Sequence, residues 1–144
     1  MSLKVEIQKS KDVSRWVEYK DPETGEVLAE FDIRGISYKP YRVALERVNN
    51  QIASKGFEPS QAVAGDKLYH ELLLEACACH LIKDWKYITF VENGEEVEKS
   101  YTPENATKLL NLGNLGIVIW AFIKENAERI QAEEDANRDD ILGK

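Results

Sequence analysis

The chain has 144 residues, 43% of them hydrophobic and 31% charged, with a formal net charge of −7. That balance suits one folded domain with a real hydrophobic core and excludes a low-complexity or disordered chain. A surface this acidic repels a phosphate backbone unless basic residues segregate onto one face, and no stretch does so, which sets direct nucleic-acid binding aside. No apolar run approaches the roughly 20 residues that cross a bilayer, and MSLKVEIQKS lacks the apolar heart of a leader, so neither a membrane span nor a signal peptide is expected.

In chain order, residues 1–36 read as extended. SRWVEYK and EVLAEFDI flank the turn-rich DPETG; Val27, Ala29, Phe31 and Ile33 alternate onto one face, and Val17 and Tyr19 do the same on the partner strand. The pattern predicts an antiparallel hairpin with one buried face, packed on the core. An arm that orders only in an assembly is the other reading, because isolated hairpins are marginal. KPYRVALERVNNQIASKGF then reads as a helix: Pro40 suits its first turn, Gly56 the residue past its end, and Tyr41, Ala44, Leu45, Val48 and Ile52 share one stripe. FEPSQAVAGD is a linker of about ten residues.

A second helix is expected from about Asp66 to Asp84. Its apolar residues, Leu68, Leu72, Leu73, Cys77 and Leu81 among them, cover most of the circumference, as in a central helix packed by several neighbours or by a partner chain. KYITFVENGEEVEKSY predicts a short second hairpin turning on Asn93-Gly94, with a solvated acidic return strand. In YTPENATKLLNLGN, Thr102 can cap a third helix, Pro103 fits its first turn, Glu104 suits the positive end of the dipole, and Gly113 ends it. The last helix is expected over about Leu115–Asn137, joined by a connection short enough for an antiparallel pair. Leu115, Val118, Ile119, Phe122, Ile123 and Ile130 form its expected core stripe, with Asn126 inside it. Beyond it, five acids near the negative end of the dipole predict fraying, with Glu134–Arg138 as one compensating pair. The expected fold is therefore α+β and mainly α: a helical core of about four helices over residues 37–137, an N-terminal hairpin over 1–36, a short central hairpin, and a frayed acidic tail over 138–144.

Chemistry would have to begin at ACACHLIKDW. On a helix Cys77 and Cys79 point roughly 160° apart, so they share neither an ion nor a disulfide. Cys77 and His80 can share a face, but two ligands fall short of the four of a structural zinc, and His70 lies about 10 Å further along the axis. Small core cysteines and a satisfied histidine account for the motif. No nucleophile elbow, phosphate-cradling glycine loop or HExxH is present, and runs such as EEVE and AEEDANRDD read as solvated faces. No catalytic residue, metal ligand or cofactor is therefore assigned. On the last helix, Ile117 lies nearly opposite the core stripe, close to Lys124, and Trp120 sits to one side. Ile117, Trp120 and Lys124 are the candidate protein-binding residues; burial under the N-terminal hairpin is the competing explanation.

Three stretches carry a family resemblance. GISYKPYRVALERVNNQI leads into the first helix, ACACHLIKDWKYI ends in Asp84-Trp85, and NGEEVEKSYTPENATKLL follows with the Tyr101–Asn105 helix start. Together with the acidic last helix ending in Gly-Lys, they resemble the tail assembly chaperones of long-tailed bacteriophages over residues 35–144. The N-terminal hairpin is no part of the resemblance. What it implies is a non-enzymatic protein of the host cytoplasm, absent from the finished virion. Such a protein binds the tail tape measure protein, keeps it soluble and helps recruit tail tube subunits. The resemblance also implies self-association and, in many phages, a longer form made by ribosomal frameshifting. Another morphogenesis subunit retained in the virion, such as a connector, is the nearest alternative. A small hydrolase lacks an assembled triad, and a helix-turn-helix regulator around Gly113 has only Lys124 and Arg129 to offer a groove.

Overall fold

The computed structural model describes residues 2–4, 12–54 and 68–142, with side chains for 2–4, 12–50 and 68–137. Among these the order is β1 (Ser14–Lys20), β2 (Val27–Arg34), α1 (Lys39–Ser54), α2 (Tyr69–His80), β3 (Ile82–Lys86), β4 (Thr89–Glu92), β5 (Glu95–Glu98), α3 (Pro103–Leu110) and α4 (Gly113–Leu142). The architecture is α+β, with the two expected hairpins and four helices. The linker FEPSQAVAGD, Gly56 and the start of the second helix at Asp66 lie outside the described residues. Arg138, one half of the Glu134–Arg138 pair, lies outside the described side chains.

The first hairpin folds as its alternation predicts, with Val17 opposite Phe31 and Tyr19 opposite Ala29. Asp21 shapes the turn: its Oδ1 accepts the Glu23 N–H at 2.8 Å, and its carbonyl accepts Gly25 N–H at 2.8 Å. Ala29, Phe31 and Ile33 are buried, while Val27, nearest the turn, stays exposed. The hairpin does not stand apart from the helices. β2 pairs on its other side with β3, giving an antiparallel sheet of order β1-β2-β3.

That third strand corrects the expected second helix, which stops at His80 rather than running to Asp84. Leu81 ends the helical backbone, and Ile82–Lys86 turns into the sheet, where Phe31 faces Trp85 and Ile33 faces Ile82. Residues 81–86 satisfy either periodicity over so short a run. The open edge of β2 decides between them, because its unpaired N–H and C=O groups gain a ladder. Arg34 clamps the switch, its Nη1 donating to the His80 carbonyl at 3.0 Å and its backbone N–H to the Leu81 carbonyl at 2.9 Å.

The core lies between the sheet and the helices. Phe31, Ile33, Leu74, Leu81, Ile82, Leu110, Ile123 and Ile130 are fully buried. Rings thread through it edge to face: Tyr19 to Phe122 at 5.1 Å, Phe31 to Trp85 at 6.3 Å, and Trp85 to Tyr101 at 5.5 Å. Along α4 the buried hydrophobic side chains are Ile119, Ile123, Ala127 and Ile130, at helical spacing. Leu115 and Val118, expected on that face, are 51% and 54% exposed instead. The cause is the junction with α3. The two helix axes turn by 115° rather than closing into an antiparallel pair. Gly113 takes the turn at φ +53°, and Gly116 lies so close to the Leu110 carbonyl that a Cβ there would overlap it. α4 therefore starts across the end of α3, and its first turn overhangs the core. It then runs to Leu142, past the expected end near Asn137. No single helix among the described residues is long and apolar enough to cross a membrane.

Candidate functional site: an apolar groove beside an acidic hairpin

The residues Asp84-Trp85 and Tyr101–Asn105, the most distinctive of the sequence, turn out to be a fastening. Asp84 Oδ1 accepts the Trp85 backbone N–H at 2.8 Å, and Trp85 Nε1 donates to the Lys99 carbonyl at 2.7 Å. Lys99 N–H closes the hairpin base on the Ile88 carbonyl at 2.9 Å. Tyr101 Oη donates to the Ala78 carbonyl of α2 at 2.7 Å, and burial pushes its phenol up to about 12. Thr102 Oγ1 accepts Asn105 N–H at 3.0 Å, capping α3 as predicted, while Asn105 Nδ2 reaches back to the Ser100 carbonyl at 3.0 Å. Both ends of the β4–β5 hairpin are thus tied to the core, and the strands between them project from it.

Asn93 and Gly94, at φ +53° and +80°, make the tight turn, and all of β5 is exposed. Phe90 is the hairpin's inward anchor, packed on the core. Between β4, β2, the end of α3 and the first turns of α4 lies an open groove of about 680 Å³. Its exposed apolar lining is Leu28, Tyr87, Val91, Leu112 and Leu115, with Ile119 at the base. These side chains arrive from β2, β4, α4 and the β3–β4 and α3–α4 connections and meet in one groove, whereas apolar residues scattered singly over a surface need no explanation. Tyr87 stands at the rim at φ +67°, in the left-handed region that a ring-bearing residue adopts only at a cost. The hairpin wall brings Glu92 into the lining, with Glu95 and Glu96 paired to Glu92 and Val91 on the next strand; Lys108 and Asn111 stand on the α3 wall.

Of the three residues nominated from the sequence, Trp120 and Lys124 come together. Lys124 Nζ lies 5.0 Å from the Trp120 ring centre, and His70 meets that ring edge-on at 5.5 Å. Trp120 is half-buried, with His70 of α2 against it; its Nε1 is buried without a hydrogen-bond partner among the described residues. Ile117, 44% exposed, lies one turn back on the same helix. None of the three lines the groove. The groove residues escaped the sequence reading because Leu115 falls on the expected core stripe, Val91 sits in a four-residue strand, and Leu112 lies in a connection with no periodicity to weigh. A leucine just before Gly113, and a valine in an otherwise acidic hairpin, were the available signals.

Cys77 is fully buried, and burial, only partly offset by the Lys124 charge, raises its thiol well above the usual range. It therefore stays protonated and unreactive at neutral pH. His80 is shifted the other way, first by burial and then by the Arg34 charge, and is neutral there. Among the described residues no three His, Cys, Asp or Glu side chains gather in a set that could hold a metal.

Residues 36–144 match the family described as YdaY prophage protein. The chain belongs to the YdaY prophage protein family. Protein YdaY of Escherichia coli (strain K12) is 31% identical over 90 residues, an alignment covering 62% of this chain and 73% of that protein. No solved structure matches. The YdaY match spans the stretch on which the tail-chaperone resemblance was built, and it starts after the first hairpin. In this chain, then, β3 of the YdaY region completes its pairing on β2, a strand outside that region. Most of the groove, including both of its charged walls, is made of YdaY-region residues, with Tyr19 added from β1 and Leu28, Ala29 and Phe31 from β2.

Proposed function

We propose that this YdaY-family protein is a phage tail assembly chaperone that binds the tail tape measure protein and keeps it soluble while the tail tube is built. It does so without catalysis, in the host cytoplasm, and leaves before the virion is complete. The observation that carries the reading is the apolar groove over Leu28, Tyr87, Val91, Leu112 and Leu115. A tape measure is a very long helical chain with apolar stripes. A partner that covers those stripes stabilises the soluble form by mass action and blocks aggregation. Prophage-family membership and the motifs over residues 35–144 support the same reading. In this reading Ile117, Trp120 and Lys124, outside the groove, contribute to self-association or to tape-measure contact. A longer frameshifted form would present the same groove.

The test is co-expression with a tail tape measure protein, a long helix-rich chain. The expected result is more of the long chain in the soluble fraction and a complex that co-purifies. Equal solubility with and without this protein sinks the reading. Recovery of this protein from purified particles by mass spectrometry replaces it with a structural role.

A further inference from the structure

The groove is asymmetric in charge as well as apolar. On the hairpin side Glu92 lines the groove, and the exposed Glu95 and Glu96 stand on the next strand, opposite Glu92 and Val91. The opposite wall carries a single lysine, Lys108. Like charges set opposite one another across strands destabilise a hairpin, so this arrangement costs the hairpin some of its own stability. A second copy of the chain, itself at −7, is repelled at low salt. A basic helix is attracted to the same wall.

We propose that the groove selects an amphipathic helix of a partner protein whose apolar stripe is bordered on one side by lysine or arginine, that border lying along the hairpin glutamates. The proposal deepens the chaperone reading and rests on it for the partner's identity. The stripe packs on Leu112, Leu115 and Val91, each about half exposed or more. The hairpin fixes which way round the helix lies, because only one of its flanks can face the acids. Electrostatics of this kind sets orientation and encounter more than raw affinity. Acid on an edge strand also deters strand addition by other chains; that role alone gives no preference between helices of different charge.

Two synthetic helical peptides of about 20 residues, with the same leucine stripe and either lysine or glutamate borders, test this by calorimetric titration of the intact chain. The lysine-bordered peptide is expected to bind about tenfold more tightly at low salt, from several exposed pairs acting together. The gap should narrow near about 1 M salt, where screening reaches about 3 Å. Glu95→Lys with Glu96→Lys should abolish the preference, whereas Glu46→Lys with Glu125→Lys, the same charge change away from the groove, should keep it. Leu115→Glu should weaken both peptides about tenfold or more; if circular dichroism shows that variant unfolded, Val91→Glu serves, at a site 66% exposed. Equal binding of the two peptides, loss of preference in the remote variant, or a groove variant that binds normally overturns the proposal. So does a wild-type dimer that Leu115→Glu splits, since the occupant is then a second copy. Charge-selective peptide binding without tape-measure rescue removes the chaperone reading alone, and rescue without charge selectivity removes this proposal alone.

Discussion

Two stretches of α4 carry similar side chains and meet opposite fates. Ile119, Ile123 and Ile130 are buried to within a few per cent, while Leu115, Ile117 and Val118 keep roughly half their surface in water. Both stretches are aliphatic and helical, so composition does not separate them. Their neighbours do. The later stretch lies over the sheet and α2, and the earlier one overhangs the end of α3 because the chain bends by 115° at Gly113. One helix thus serves as core along its middle and as groove wall at its start. The comparison teaches that an apolar stripe states a need for a partner without saying whether that partner is in the same chain.

That contrast can be broken most strongly from the core side. Phe31→Ala removes the ring that meets Tyr19, Trp85 and Phe122 and should cost about 3–5 kcal/mol in denaturant unfolding. Gly116→Ala attacks the junction itself. The new methyl meets the Leu110 carbonyl, which is backbone and cannot swing aside. A net loss of about 1–2 kcal/mol is expected, even though alanine gains about 1 kcal/mol in helix propensity; a more stable variant would show that the close approach is not what sets the bend. Thr102→Ala unfastens the hairpin's far end by removing the α3 cap, at about 1 kcal/mol by thermal or chemical melts.

Smaller effects sharpen the comparison. Tyr41 and Tyr101 have phenols raised to about 12 from the usual 10, in each case first by burial. The folded state therefore holds protons that the unfolded state releases above pH 10. This part of the stability is complete below about pH 10 and is lost as pH rises toward about 12. Denaturant midpoints measured across that window should fall, and a flat profile would refute the burial of the two rings. At the groove end, Leu115→Ser and Val118→Ser should change stability by no more than about 0.5 kcal/mol. A loss comparable to Phe31→Ala would place the overhang within the core.

Much of this architecture could be read from residues alone, for local reasons. The alternation in β2, the Asp21 turn, the Asn93-Gly94 turn and the Thr102-Pro103 helix start are each decided within about four residues. Each formed where expected. The misplaced elements were those whose partner is distant in sequence. Ile82–Lys86 became a strand because β2, about 50 residues earlier, offered an open edge. Leu115 and Val118 became surface because of an interhelical bend that periodicity does not contain.

The amino-acid sequence by itself therefore determined the local elements, the fastening residues around Trp85 and Tyr101 as a distinctive motif, and the need for apolar partners along each helix. Tertiary structure alone decided which of those needs were met inside the chain and which were gathered, unmet, into the groove beside the acidic hairpin. The reason is physical: turns and caps are settled by hydrogen bonds within a few residues, whereas burial depends on which surfaces the whole chain brings together.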